Sequence, residues 1–169
     1  EPFHAPPRFR DLYPTSYKGP ILDWPIYDRV TETPEEVAEL RANYAALVTM
    51  TDEYFGQLLD FFDSYDLWSD TALVLTTDHG FLLGEHDWWA KNRMPVYDEI
   101  AHIPLMIYHP DFSDQGGMRR SALSQTADIM PTILDMAGQQ IPKDVTSRSL
   151  MPLLAADDDQ RDSLIFGYF

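Results

Sequence analysis

The chain has no cysteine, which excludes a disulfide framework, a thiolate nucleophile and a cysteine-ligated zinc site built from these residues. It also lacks any apolar run near the roughly 20 residues needed to cross a bilayer, so no membrane segment is expected. Glu1-Pro2-Phe3-His4-Ala5-Pro6-Pro7 has nothing of the character of a signal peptide. Cationic residues are scarce: 12 Lys and Arg stand against 28 Asp and Glu, a formal net charge of −16. They are scattered as well as few, so nucleic acid is not an expected partner, because its phosphates are bound by clustered Lys and Arg. An anionic substrate would need positive charge concentrated locally, by a metal ion or a few placed cations. There is no internal repeat and no low-complexity tract.

What is present is enough to fold. The 169 residues are 44% apolar and 13% aromatic, which excludes a solvated acidic tail, and the length favours one domain. Residues 1–32 carry Pro at 2, 6, 7, 14, 20 and 25 with no sustained period and read as an irregular lead-in. Over 33–64 a long helix is expected. Thr33 is its N-cap, Pro34 its first position and Glu36 the return partner of a capping box. Behind them Val37, Leu40, Tyr44, Leu47, Val48, Thr51, Phe55, Leu58, Leu59 and Phe62 recur at steps of three and four, which makes one apolar stripe. Asp52, Glu53, Asp60 and Asp63 lie mostly off it and read as a solvated face.

Residues 71–110 hold two short continuous apolar runs, Ala72–Thr77 and Ile103–Tyr108, as expected for strands covered on both faces. Asp111 to Gly117 reads as a loop. In 124–169 the pattern gives a helix over Thr126–Ala137 with Gly138 as its cap, a short helix over Ser149–Leu154, a turn at Asp157–Asp159 and a final strand over Ser163–Phe169. A chain that stops inside a strand is expected to be cut there, and both ends are read that way.

The chemistry concentrates in Thr76-Thr77-Asp78-His79-Gly80-Phe81-Leu82-Leu83-Gly84-Glu85-His86. Asp78 and His79 follow a buried strand, and in open α/β sheets ligands bind in the crevice beyond the strand carboxyl ends. Gly80 would let the backbone turn sharply there. A carboxylate and an imidazole side by side can supply two ligands to one divalent cation. Taken alone, the triplet is a weak signal and reads first as an ordinary turn in which Asp78 bonds its own backbone.

The wider pattern adds Gly84-Glu85-His86, Trp88-Trp89-Ala90-Lys91 and Tyr97-Asp98-Glu99-Ile100-Ala101-His102-Ile103-Pro104-Leu105. Beyond these come Asp128-Ile129-Met130-Pro131-Thr132-Ile133-Leu134 and Arg148-Ser149-Leu150-Met151-Pro152-Leu153. Together they resemble the sulfatase family of the alkaline phosphatase superfamily over nearly the whole chain. The resemblance implies an α/β fold, here the C-terminal portion of an alkaline-phosphatase-like sandwich with a mostly parallel sheet flanked by helices. It implies that Asp78 and His79 bind the active-site metal and that Lys91 contacts the transferred sulfate, as catalytic and substrate-binding residue. Such charges are apt, because an ester attacked at sulfur accumulates negative charge on its nonbridging and leaving oxygens.

A nitrogen ligand suits Mn²⁺ or Zn²⁺ better than Ca²⁺, whereas sulfatases with His at this position are generally taken to bind Ca²⁺. One divalent metal is therefore implied, Ca²⁺ first, with Mn²⁺ or Zn²⁺ as alternatives. His86 reads as a hydrogen-bonded structural histidine or as an orienting partner of a ligand, and His102 as a residue making a fold-holding hydrogen bond. His109 reads as a loop residue. Trp88 and Trp89 either wall a pocket or pack beneath the loop. The family's formylglycine arises from a Cys/Ser-x-Pro-x-Arg motif, which does not occur here, so the resemblance puts the nucleophile outside this chain. It also puts a site histidine just before Glu1, His4 being a poorer match by offset.

The reading is a sulfatase hydrolysing a small-molecule or saccharide sulfate ester. Two alternatives stand beside it: a phosphonate monoester or phosphodiester hydrolase of the same superfamily, and a noncatalytic module that keeps the fold without the nucleophile.

Overall fold

The computed structural model describes residues 2–156 and 161–164. In chain order its elements are α1 (Pro7–Arg10), α2 (Pro34–Ser64), β1 (Leu73–Thr76), β2 (Leu82–Leu83), β3 (Trp89–Ala90), α3 (Asp98–Ala101), β4 (Leu105–Tyr108), α4 (Ile129–Met136) and α5 (Met151–Ala155), joined by short 3-10 turns. They fall into two compact units, residues 2–66 with His79–Ile103 and Leu67–Asp78 with the described residues from Pro104 onward.

In the first unit Thr33 sets the start of α2. Its hydroxyl accepts the Glu36 N–H at 3.3 Å and its own N–H donates to the Glu36 carboxylate at 2.9 Å, so two otherwise orphan donors are satisfied reciprocally. Leu40, Asn43 and Ala46 are the buried positions along the first half of the helix. Leu40 joins Phe3 and Trp89 in a core that Val37, Tyr44, Leu47 and Phe81 surround. Phe3 meets Tyr44 and Phe81 edge-on, with ring centroids 5.3 and 5.6 Å apart, the arrangement that opposed ring quadrupoles favour. The Asn43 amide donates to the Leu22 carbonyl at 2.7 Å and so ties the Pro-rich lead-in to the helix.

That lead-in is irregular except for α1, a single turn begun by Pro7 whose Phe9 packs with Ala5 and Ala46. The apolar stripe of α2 is buried for less of its length than its spacing predicts: Val48 is 52% and Leu58 41% exposed. The lead-in, α1 and the β2–β3 pair cover α2 at Val37, Leu40, Tyr44, Ala46, Leu47 and Met50.

In the second unit β1 and β4 pair antiparallel, with Leu73 opposite Tyr108 and Thr76 opposite Leu105. β2 and β3 are antiparallel too, so a parallel pairing, expected for the sheet, does not occur among the described residues. A continuous apolar run reports that both faces are covered and carries no information on direction. Even the coverage is partial, since β1 is half-buried throughout and Met106 of β4 is 59% exposed. Below the pair, Tyr108 donates to the Trp68 carbonyl at 2.6 Å and their rings meet edge-on. The expected loop 111–117 contains a 3-10 helix over Pro110–Gln115.

Helix α4 is shorter than the expected 126–137, because Thr126–Asp128 forms a 3-10 turn before it. It ends as the sequence indicates. Gly138 takes φ +63°, its N–H reaches the Asp135 carbonyl at 2.9 Å, and the Gln139 N–H reaches the Leu134 carbonyl at 2.8 Å, a Schellman closure that a left-handed glycine permits. The expected turn at Asp157–Asp159 and the Ile165–Phe169 part of the expected final strand lie outside the described residues.

Candidate active site

His79 opens the site in the first unit. Its Nε2 accepts from the Lys91 ammonium, and since an ammonium can only donate, Nδ1 carries the ring proton. That proton goes to the Gly80 carbonyl, 2.8 Å away. The imidazole is thus fixed in the tautomer that presents the Nε2 lone pair, which is the arrangement of a metal-ligating histidine whose other nitrogen is tied to a backbone oxygen.

Gly80 is a glycine because of a close approach. Its φ is not in the left-handed region, so the sharp turn expected from sequence is not its reason. Its N–H donates to the Ile100 carbonyl at 2.9 Å, and a Cβ at this position would lie 1.8 Å from the Glu99 carbonyl oxygen. No side chain fits against α3 there.

Lys91 is carried by a short hairpin. Leu82 pairs with Ala90 and Leu83 with Trp89, strands too short for alternation to be legible in the sequence. Gly84 at φ +96° turns the chain, and His86, Asp87 and Ala90 follow at φ +54°, +63° and +75°, a costly run of left-handed non-glycine residues that the surroundings must hold. They do so from several sides. Trp89 is fully buried and donates its indole N–H to Glu32 at 2.8 Å. Arg41 of α2 donates to the Leu83 carbonyl at 2.7 Å. Met94, just past Lys91, is also buried.

Asp78 lies at the end of the second unit, exposed, and Thr77 Oγ1 donates to its carboxylate at 3.3 Å. His79 and Lys91 are therefore brought together, while Asp78 and His79 are sequence neighbours in different units. Among the described residues no group of three His, Asp or Glu side chains could hold a metal ion.

Of the other histidines, His86 donates to Glu99 at 3.1 Å and stacks on Tyr97 with ring centroids 3.8 Å apart. Its reading as a hydrogen-bonded structural residue fits. The Glu99 carboxyl is held below its ordinary range by its own backbone N–H and then by His86. His102 makes no fold-holding bond: its side chain is 81% exposed, 3.6 Å from Asp98, because the short α3 ends there at the surface. His109 accepts the Asp111 N–H at 3.2 Å and caps the following 3-10 turn. His4 is exposed, 3.6 Å from Asp23. Trp89 packs beneath the loop, and Trp88 lies under the Arg29 guanidinium at 4.3 Å. Sequence reasoning gave no role to Glu99 or Tyr97, although both lie inside the motif run.

Comparison with known proteins decides the family. The family model described as Sulfatase matches residues 2–139. The chain belongs to the sulfatase family. The N-acetylglucosamine-6-O-sulfatase of Bacteroides thetaiotaomicron is 36% identical over 131 residues, 75% of this chain and 23% of that protein. A solved structure of a protein in complex with its substrate D-glucosamine-2-N,6-O-disulfate superposes with a TM-score of 0.69 at 32% identity, over 79% of this chain and 27% of that one. The phosphonate monoester hydrolase of Silicibacter pomeroyi superposes with a TM-score of 0.65 at 34% identity, over 80% of this chain and 26% of that one. The sulfatase chain spans about a quarter of the length of these relatives. Its fold is α/β, part of the alkaline-phosphatase-like architecture, and family membership implies in general a divalent metal and a formylglycine.

Proposed function

We propose that this chain is the C-terminal part of a sulfatase catalytic domain that hydrolyses a small-molecule or saccharide sulfate ester. Asp78 and His79 hold one divalent cation, Ca²⁺ first, with Mn²⁺ or Zn²⁺ as alternatives. Lys91 contacts the transferred sulfate, and the formylglycine nucleophile lies outside these residues. The observation that carries the reading is the contact of the Lys91 ammonium with His79 Nε2. It sets a compact mobile cation at Nε2, the ring nitrogen whose lone pair would go to a metal, since Nδ1 is committed to the Gly80 carbonyl. When bound, the metal supplies Lewis-acid stabilisation of charge developing on the ester oxygens. Lys91 adds a second positive charge to the same anion, in a chain whose net charge would otherwise repel it. The full-length protein should hydrolyse 4-nitrophenyl sulfate; no hydrolysis by metal-replete, formylglycine-containing protein would refute the proposal.

A second reading has its own support, the 34% identity to a phosphonate monoester hydrolase. Kinetics on matched aryl sulfate and aryl phosphonate monoesters separate the two. A large preference for the phosphonate would replace the sulfatase reading with the phosphonate one.

A further inference from the structure

Helix α3 touches both halves of the His79–Lys91 contact. Through backbone, the Ile100 carbonyl takes the Gly80 N–H at 2.9 Å and the Glu99 carbonyl closes on the space a Gly80 side chain would need. Through side chains, the Glu99 carboxylate takes the His86 N–H at 3.1 Å, while Tyr97, at the start of the same helix, stacks on that ring with the planes only 8° apart. One four-residue helix thus grips the residue after His79 and the tip of the hairpin that carries Lys91.

The hairpin needs such a grip. Two paired residues per strand make a marginal hairpin, and His86 and Asp87 sit at left-handed φ at its tip, a conformation that persists only where contacts over-determine it. Lys91 follows the fully buried Ala90 directly, so tilting the tip moves its Cα and hence the reach of its ammonium. We propose that Glu99 is a positioning residue: by clasping His86 it holds the hairpin at the spacing from α3 that lets Lys91 meet His79. The proposal rests on the reading of Lys91 as the residue that contacts the transferred group, since only then does its placement govern turnover.

The test uses the full-length enzyme and 4-nitrophenyl sulfate. Glu99→Ala should lower kcat/KM about tenfold, the scale of a sub-ångström misplacement. Glu99→Gln, which still accepts from His86, should restore most of it. In a Lys91→Ala background Glu99→Ala should cost less than about twofold, because residues acting through one another are non-additive. Amide exchange over residues 84–91 should quicken in Glu99→Ala and return in Glu99→Gln. If Glu99→Ala does not fold, His86→Asn keeps tolerance of left-handed φ while losing the clasp, and replaces it in the same comparison. Equal losses in both backgrounds, or no loss, would overturn the clasp while leaving the site reading intact. A Lys91→Ala enzyme as active as the parent would overturn the site reading, and the clasp with it.

Discussion

Arg161 meets Asp128 through two hydrogen bonds, 2.6 and 2.9 Å long, and the carboxylate they hold is fully buried. The same carboxylate accepts the backbone N–H groups of Gln125 and Arg148 at 2.9 and 3.1 Å. Burial pushes the Asp128 carboxyl up, but the Arg161 guanidinium and the two N–H donors together outweigh it and hold the group below its ordinary range. A carboxyl lowered by folding adds stability that is complete above its unfolded pKa, about 3.9, and is lost as pH falls through the lower folded value. The urea midpoint of the full-length protein should therefore fall in that acid window. Asp128→Asn should flatten this dependence and cost about 3–5 kcal/mol at neutral pH, since it leaves Arg161, whose side chain is only 12% exposed, without its counter-charge. An unchanged acid slope would show that this pair does not govern it.

Thr132 extends the same knot. Its hydroxyl donates to the Asp128 carbonyl at 2.6 Å and accepts the Leu150 N–H at 2.9 Å, all within the interior of the second unit. Thr132→Val keeps the shape and strands a buried N–H, so a loss of about 1–3 kcal/mol is expected. Chemical denaturation measures it. A loss confined to a few tenths would mean that water reaches the Leu150 amide.

Gly80→Ala tests the close approach to α3. With a Cβ placed 1.8 Å from the Glu99 carbonyl oxygen, backbone must move, and no flexible side chain can yield instead. The expected result is a fall in kcat/KM of roughly 10²-fold, the effect of displacing a catalytic group by about 1 Å. A fully active Gly80→Ala enzyme would show that the approach relaxes without consequence.

How much of this was legible in sequence depended on range. The Thr33-Pro34-Glu35-Glu36 start of α2 and the Gly138 end of α4 could be read because caps are local chemistry, with donor and acceptor within a few residues. The Asp78-His79-Gly80 turn and Lys91 were singled out through their place in a long motif, and the structure sets His79 and Lys91 in contact. Strand direction was not, since Ala72–Thr77 reads alike in either orientation. Nor were β2 and β3, whose two-residue pairs carry no period. Gly80 was noticed for the wrong reason: a glycine signals freedom at φ or room for a neighbour, and only the Glu99 backbone, 19 positions along, tells which. Asp128 and Thr132 were recognised as a motif, while what they hold, Arg148, Leu150 and Arg161, became visible only in space.

Lys91 should prove necessary for turnover and dispensable for stability. Its half-buried ammonium reaches His79 from a hairpin that Trp89 and Ala90 anchor without it. Lys91→Ala in the full-length enzyme is expected to lower kcat by about 10²–10³-fold, as for loss of a preorganised donor to developing charge, with a nearly unchanged Tm. Lys91→Arg should not rescue it, because a planar guanidinium fork cannot replace a compact ammonium at the same point. Turnover within twofold of the parent for either variant would remove Lys91 from the site.

His79→Asn probes the metal itself. The imidazole, with Nδ1 committed to the Gly80 carbonyl, has one nitrogen to give a cation, and nitrogen ligation favours Mn²⁺ or Zn²⁺ over Ca²⁺. Asparagine offers a carbonyl oxygen in its place, the donor that Ca²⁺ prefers. After chelation and re-addition of single ions, the parent enzyme and His79→Asn should differ in rank, with the variant shifted toward Ca²⁺ in both bound-metal content and restored activity. An identical ion ranking in the two proteins would mean that His79 ligates no metal, and its contact with Lys91 would then be a structural one.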